Sequence, residues 1–567
     1  MALPFVGLCG VHMITLVSRP RAGYAGYVRL TPVTSMDASN LADLLSRAAT
    51  DSPDQVALVE AAGGRRVTWA ELDAEVSRVA NGLSGMGMVA GYRVVISVGN
   101  RTEFVTSYLG ALRARMVAVP VNPRSATGEL VWMIADCGAR VVVADPSTVA
   151  TARSAVAGLA DALEGADEEL RSRTVVPRIV VSGAPTVPGE TSYADLVRDG
   201  AEEIPTPEDA EALAVLLYTS GTSGRPRAAM LSHRALIANI EQAAAVEPAM
   251  VTGGDVVFGV LPLFHVYGLN AVLGQVVRQR ARLVLVDGFD VEGSLDIIED
   301  EAVSVVPVAP PVFAYWMSVE DLKERLSGVR LVLSGSAPLA PELVESFTKL
   351  TRVVVHQGYG LTEGAPVVTS TLCSRTAKVG SVGAALPGIS IRLVDEDGRS
   401  PEGEDPGEIL IAGANLFSGY WPDGADGPDD EGWWPTGDVG FLDADGDLFL
   451  VDRLKELVIV SGFNVYPSEV EEVITELDAV AEAAVIGAED AETGEVVVAY
   501  VKPQPNLSMT DEELAEAIRE HCATRLARFK QPSAVNVVAE LPHTVTGKVA
   551  KGRLRATERR RSLGLLE

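Results

Sequence analysis

At 567 residues, 47 % hydrophobic and 22 % charged, the chain is too long for one hydrophobic core and has the composition of a folded protein of two or more domains. Its 47 basic and 77 acidic residues leave a net charge of −30, which disfavours nucleic acid as a partner but not a small anion held by backbone N–H groups and a few cations. Cys9, Cys137, Cys373 and Cys522 lie far apart with no Cys-x-x-Cys or Cys/His pairing, which argues against a zinc site or a disulfide framework and fits the cytoplasm.

The opening segment, MALPFVGLCGVHMITLVS, is apolar for about the length of a short span, yet it contains Pro4, Gly7 and Gly10 and lacks a basic n-region and an A-x-A site. Residues 1–36 read as an extension, with Met36 a natural start and peripheral membrane attachment as the second reading. An amphipathic helix is expected over 39–50 and a short strand over 66–69, where Thr68 caps the next helix with Glu71 three residues on. Apolar, β-branched runs then alternate with helical stretches, at 92–98, 116–121, 139–144, 178–182, 256–261, 282–286, 303–308, 330–333 and 353–355. Such alternation predicts βα units with parallel sheets buried on both faces. From about 380 to 451, short alternating strands with turn signals near 396, 422–432 and 444 predict a small β-rich subdomain. After a short charged boundary at 452–455, a compact α+β unit over 456–567 is expected to form its own domain.

The densest chemical signal is YTSGTSGRPRAAMLSH, 218–233. An apolar strand at 212–217 leads into Thr219, Ser220, Gly221, Thr222, Ser223 and Gly224, followed by Arg225 and Arg227 and then a helix. Glycines let successive N–H groups turn inward, hydroxyls add donors and arginine adds charge, which suits phosphate oxygens. It is not a Walker A loop, and a bare Gly/Ser/Thr turn would usually be only a turn. Glu363 is a hard oxygen ligand suited to Mg²⁺ beside phosphates, and Asp438 a bidentate acceptor suited to ribose hydroxyls. Alone, the first reads as a surface charge and the second as part of a Gly-Asp turn.

Together, that loop with PLFHVYG at 262, SGSAPLA at 334, GYGLTEG at 358, TGD at 436, DRLKELVIVSGFNVYPSEVE at 452 and TVTGK at 544 resembles the adenylate-forming superfamily of acyl-CoA synthetases, aryl-CoA ligases, luciferases and peptide-synthetase adenylation domains, over essentially the whole chain from about Ser39. The resemblance implies an α/β fold: a large N-terminal domain with two parallel-type sheets and a small β subdomain over 37–451, and a mobile C-terminal α+β domain pivoting at Lys455. It implies that the SGSAPLA loop, with Ser336, Ala337 and Pro338, and the segment Gln357, Gly358 and Tyr359 receive the adenine. Thr362 would bond the α-phosphate, Glu363 would hold Mg²⁺, and Asp438 and Arg453 would take the ribose or phosphates. His265 would flank the acyl tunnel, Tyr267 would touch the acyl group, and Ser461 and Gly462 would lie on the CoA path. Lys548, an ordinary tail lysine out of context, would stabilise charge growing on the α-phosphate.

Departures from the family pattern are confined. Ser223, Arg227 and Ala228 stand where Thr, Lys and Gly are common; Arg227 keeps the charge with a larger fork. Ile459 and Ser461 occupy positions often basic in aromatic-acid ligases, which weakens an aryl-CoA reading. The expected activity is ATP-dependent conversion of a carboxylic acid to acyl-AMP and then to its CoA thioester, with a medium- or long-chain fatty acid as first choice because the candidate acyl segments at 269–275, 306–315 and 358–366 offer no cation for a second charge. A ligase loading an acyl carrier protein, an aromatic-acid–CoA ligase and a non-catalytic nucleotide-binding relative are the alternatives; oligomeric state is not legible.

Overall fold

The computed structural model describes residues 38–562 except 199–203, 205–208, 221–225, 337, 338, 340, 396, 397, 402, 404–406, 454–457, 466, 506, 508, 543–548 and 550. The proposed extension, 1–36, therefore lies outside the described residues, and no helix among the described residues is long and apolar enough to cross a membrane.

Two large sheets form the N-terminal body. One has seven strands, in the spatial order Thr191–Ser192, Arg178–Val181, Val141–Ala144, Arg93–Ser97, Val117–Pro120, Leu213–Ser220, Pro226–Ser232. The other has nine, running from Ala384–Ala385 through Val367–Ser370, Val355–Gly360, Leu331–Ser334, Val305–Val308, Val256–Gly259, Arg282–Leu285 and Val56–Glu60 to Arg66–Thr68. The interiors are parallel, as the βα rhythm predicts, but antiparallel strands close the edges: Pro226–Ser232 in the first sheet, Arg66–Thr68 and the pair Val367–Ser370 and Ala384–Ala385 in the second. The sheets are thus mixed and not wholly parallel, because strands joined by short turns can fold straight back, whereas parallel pairing needs a crossover.

Period-two side-chain alternation explains how three cores arise from such short strands. Val141 and Val143 face a central core while Val142 and Ala144 face an outer one; Leu283 and Leu285 join the same central core while Val284 faces the opposite side. Helices Trp69–Gly85 and Thr102–Arg113 fill the space between the sheets, with Trp69, Leu72, Phe104 and Tyr108 buried. The Thr68–Glu71 capping box forms as expected: Glu71 N–H donates to Thr68 Oγ1 at 3.3 Å and Thr68 N–H to Glu71 Oε2 at 2.9 Å. The first helix, expected over 39–50, spans Asp43–Asp51, since Asn40 forms a turn in which its Oδ1 accepts Ala42 N–H at 2.9 Å.

The β subdomain is an antiparallel meander of Ile389–Val394, Gly407–Gly413, Trp433–Leu442 and Leu448–Arg453. In the turn before its last strand, Asp443, Asp445 and Asp447 converge on Lys378, whose Nζ lies 2.6, 2.6 and 3.5 Å from them. The C-terminal domain is a five-stranded sheet covered by helices Pro467–Thr475, Asp511–Arg525 and Lys551–Ser562.

Candidate active site

The strands on either side of the candidate phosphate loop pair with each other. Leu213–Ser220 pairs antiparallel with Pro226–Ser232, placing Thr219 opposite Arg227. A second strand follows the loop, and the helix expected after the motif is His233–Ala244, with Ser232 Oγ accepting Ala235 N–H at 3.2 Å. PRAAMLS, for which the sequence predicts no element, is a strand because its backbone completes the edge of the sheet. Gly221, Thr222, Ser223 and Gly224 lie outside the described residues, and Ser220 pairs with Pro226 at the end of its strand. Arg227 lies with its guanidinium 3.9 Å from the centroid of the Tyr420 ring and 2.7 Å from Asp426.

On the neighbouring sheet, the strand expected at 353–355 starts at Val355 and continues to Gly360, so Gln357, Gly358 and Tyr359 are strand residues. Gly358 is required there, since a Cβ would lie 2.6 Å from the carbonyl oxygen of Thr369 on the adjacent strand. Tyr359 donates its hydroxyl to Asp438 Oδ2 at 2.7 Å, which joins two of the expected nucleotide residues across the boundary between the body and the β subdomain. Asp438 sits opposite Arg453 in the meander. Ser336 follows Leu331–Ser334 and adopts a left-handed backbone, φ 75°, a conformation costly for a residue with a Cβ and common at ligand-contacting loops. Beside it, Gly335 packs under the Tyr267 ring: a Cβ there would come 3.0 Å from Cε1. Ala337 and Pro338 are outside the described residues.

Thr362 and Glu363 form a single 3₁₀ turn, Thr362–Gly364. Glu363 is 8 % exposed; Phe417 N–H donates to its carbonyl at 2.9 Å and Tyr420 donates its hydroxyl to Oε1 at 2.5 Å. Three buried asparagines bolt this turn in place. Asn270 donates to Ala365 O at 2.7 Å, Asn415 to Gly364 O at 2.7 Å, and Asn239 to Val367 O at 2.8 Å while accepting Val367 N–H at 3.0 Å. Neither Tyr420 nor the asparagines were expected at the site. Asparagine inside apolar runs (LIANIE, YGLNAVLG) is the available signal, because an amide buried there needs partners.

Where the acyl group is expected, His265 leads into a π-helix, Tyr267–Gly274, a rare geometry that gathers at functional sites. His265 is half-buried, its Nε2 has no hydrogen-bond partner among the described residues, and burial pulls the imidazole down to about 4, leaving it neutral at pH 7. Its ring lies 4.6 Å from Phe264 and 5.4 Å from Phe463 of the C-terminal domain, which in turn stacks on Phe529 at 4.6 Å. Just before Phe463, Ser461 (φ 51°) and Gly462 (φ 81°) make a two-residue type I′ turn between Val458–Val460 and Phe463–Val465. Gly462 reaches the large domain: a Cβ on it would lie 3.7 Å from Ala309 Cβ and 4.0 Å from Ser336 Cβ. The structure thus brings together Thr219, Arg227, Ser336, Tyr359, Glu363, Asp438, His265, Tyr267, Ser461 and Gly462 around the meeting of two sheets and the second domain. Lys455 and Lys548 lie outside the described residues, and Arg453 is placed by its pairing with Asp438.

This α/β body, with its β meander and a separate C-terminal domain reaching back to the site, defines an enzyme of the adenylate-forming class. The chain belongs to the AMP-binding enzyme family, whose pattern matches residues 45–421, and the pattern for the AMP-binding enzyme C-terminal domain matches 469–548. It is 33 % identical to 4-coumarate–CoA ligase 5 of Oryza sativa subsp. japonica, covering 93 % of this chain and 96 % of that protein. It is 30 % identical to the long-chain-fatty-acid–CoA ligase of Bacillus subtilis, covering 91 % and 94 %. Among solved structures, a mutant o-succinylbenzoate CoA synthetase from Bacillus subtilis bound with its product analogue matches with a TM-score of 0.76 at 27 % identity, covering 90 % of this chain and 98 % of that one. ATP-bound MatB from Rhodopseudomonas palustris matches with 0.66 at 32 %, covering 91 % and 99 %.

Proposed function

We propose that the protein is an AMP-forming acid–CoA ligase acting on an apolar monocarboxylic acid. The observation that carries this is the pairing of Tyr359 with Asp438 beside Glu363, with the acyl side of the site built from uncharged segments, 262–274 and 305–317. A carboxylate oxygen attacks the α-phosphorus of ATP, the bond to pyrophosphate breaks and acyl-AMP forms. A thiolate sulfur then attacks the acyl carbonyl carbon, the bond to the AMP oxygen breaks, and AMP leaves with the thioester formed. Thr219, Ser220, Gly221, Thr222, Ser223, Gly224 and Arg227 are assigned to the phosphates, Ser336, Ala337, Pro338, Gln357, Gly358 and Tyr359 to adenine, Asp438 and Arg453 to ribose, Thr362 to the α-phosphate, and Lys548 to its developing charge. The Glu363 carboxylate, buried and oriented by Tyr420, fits a Mg²⁺ ligand. Among the described residues no group of three or more His, Cys, Asp or Glu could hold a metal, so such an ion would draw its other ligands from phosphate oxygens and water and would neutralise charge there.

For the acid, the relatives named as 4-coumarate–CoA ligases support a planar aromatic acid. A medium- or long-chain fatty acid is the second reading, supported by the Bacillus subtilis relative and by Ile459 and Ser461 standing where aromatic-acid ligases are often basic. Pyrophosphate release measured with ATP, Mg²⁺ and a panel of cinnamate-type, benzoate-type, fatty and amino acids, each with and without CoA, tests this. Release with apolar acids and formation of acyl-CoA are expected. Accumulation of acyl-AMP despite CoA would replace CoA with another acceptor, and no release with any acid would overturn the reading.

A further inference from the structure

Among the described residues, the C-terminal domain meets the body at the aromatic pile, at Gly462 and at a buried ionic group. Lys530, on the turn Arg528–Lys530, is 9 % exposed, with Nζ 2.6 Å from Glu129 Oε1 and 2.8 Å from Glu469 Oε1. Glu469 belongs to the same domain, in the first turn of Pro467–Thr475. Glu129 belongs to the body, in the first turn of Thr127–Cys137, where its Oε2 also accepts Ala126 N–H at 2.9 Å, so its carboxylate is held in place before the domains meet. One ammonium serves two carboxylates, and Glu469 Oε2 is buried without a hydrogen-bond partner among the described residues. A buried charge cluster of this kind tolerates little displacement, because removing one partner strands the others in a poorly solvated place.

The contact is tied to the site by a short run of neighbours. Lys530 adjoins Phe529, Phe529 stacks on Phe463 at 4.6 Å, and Phe463 follows Gly462, which abuts Ala309 and Ser336. By contrast Thr219, Tyr359, Glu363 and Asp438 sit on the body and its meander, so their mutual geometry does not depend on this docking; Lys548, assigned to acyl-AMP formation, belongs to the C-terminal domain and would reach the α-phosphate in another placement of it, after the pivot expected at Lys455. We infer that Glu129 and Lys530 are positioning residues: their pairing holds the Ser461–Gly462 turn in the site and so serves acyl transfer to the thiol, not acyl-AMP formation. This rests on the acid–CoA ligase reading.

Two half-reactions separate the roles: ATP–pyrophosphate exchange for adenylation, and single-turnover thioester formation from acyl-AMP preformed on the enzyme. Glu129→Gln and Lys530→Met should each slow thioester formation about tenfold or more while leaving exchange within about twofold, and the double variant should be no slower than the worse single variant, as expected for one shared interaction. Lys530→Arg should retain most of the transfer rate. Exchange falling in step with transfer, or single effects that multiply in the double variant, would overturn the inference. Amide hydrogen exchange over 458–465 needs no substrate: it should quicken in Glu129→Gln, and an unchanged rate would overturn the inference even if no acid proved to be a substrate, an outcome that would sink the ligase reading on separate grounds.

Discussion

Tyr420→Phe isolates one atom of the site. The ring remains, so Arg227 keeps the face on which it rests at 3.9 Å, but the hydroxyl that donates to Glu363 Oε1 at 2.5 Å is gone. Both residues are 8 % exposed, so water does not readily replace the lost donor. A hydrogen bond to a buried charged acceptor is worth about 1.5–3 kcal/mol, and a carboxylate free to rotate no longer waits in the geometry a phosphate-bound magnesium ion requires. If half of that loss reaches the adenylation transition state, exchange of pyrophosphate into ATP slows about 3- to 12-fold. The half-saturating Mg²⁺ concentration should rise in parallel. Tyr420→Ala, which also removes the cation–π partner of Arg227, should cost more, and the excess should appear in the KM for ATP. The assay is exchange at a series of Mg²⁺ concentrations, with the unfolding midpoint recorded for each variant. A Tyr420→Phe enzyme with wild-type rate and wild-type Mg²⁺ dependence would refute the assignment of Glu363 to the metal and of Tyr420 as its positioning residue.

Gly335→Ala places a methyl 3.0 Å from Tyr267 Cε1, so the ring must shift by a few tenths of an ångström; the KM for the acid should rise several-fold with the KM for ATP nearly unchanged, measured by initial rates. Tyr359→Phe frees Asp438 from its 2.7 Å partner and should raise the KM for ATP by about 5- to 10-fold, read from exchange kinetics. Acid sensitivity should follow from two histidines. Burial pulls His233, 3 % exposed and accepting Leu41 N–H through Nδ1, down to about 4, and does the same to His265. Free imidazole titrates near ~6.5, so the unfolded chain binds more protons between those values; the stability is fully present above ~6.5 and is lost towards pH 4 at roughly 1.4 kcal/mol per pH unit for each histidine. Denaturant midpoints should fall between pH 7 and pH 5, and less steeply in His233→Asn; an unchanged midpoint would count against it.

What was legible in the sequence follows the reach of each signal. Strands such as 141–144 and 282–285 announce themselves by β-branched runs between helices, because burial on both faces leaves no room for polar residues. The Thr68–Glu71 box is visible because its two partners are three residues apart. Motif order carried the candidate site. What escaped notice depends on pairing across distance. PRAAMLS extends because Leu213–Ser220 offers it an edge, and the adenine-side strand runs on to Gly360 because Val367–Ser370 returns beside it. Tyr420 reaches Glu363, and Asn415 reaches Gly364, from 57 and 51 positions away in sequence. The π-helix at Tyr267–Gly274 has an apolar composition that an α-helix would share, and Lys530 finds Glu129 only once two domains have docked.

The aspartate turn that holds Lys378 has a practical meaning for anyone handling the protein. Three carboxylates converging on one point in a loop of alternating aspartates would elsewhere invite calcium, but here the counter-ion is covalently part of the chain, its Nζ 2.6 Å from Asp443 and Asp445. That charge cannot be dialysed away. With that charge supplied by Lys378, the meander bearing Asp438 and Arg453 should keep its shape when free calcium is varied.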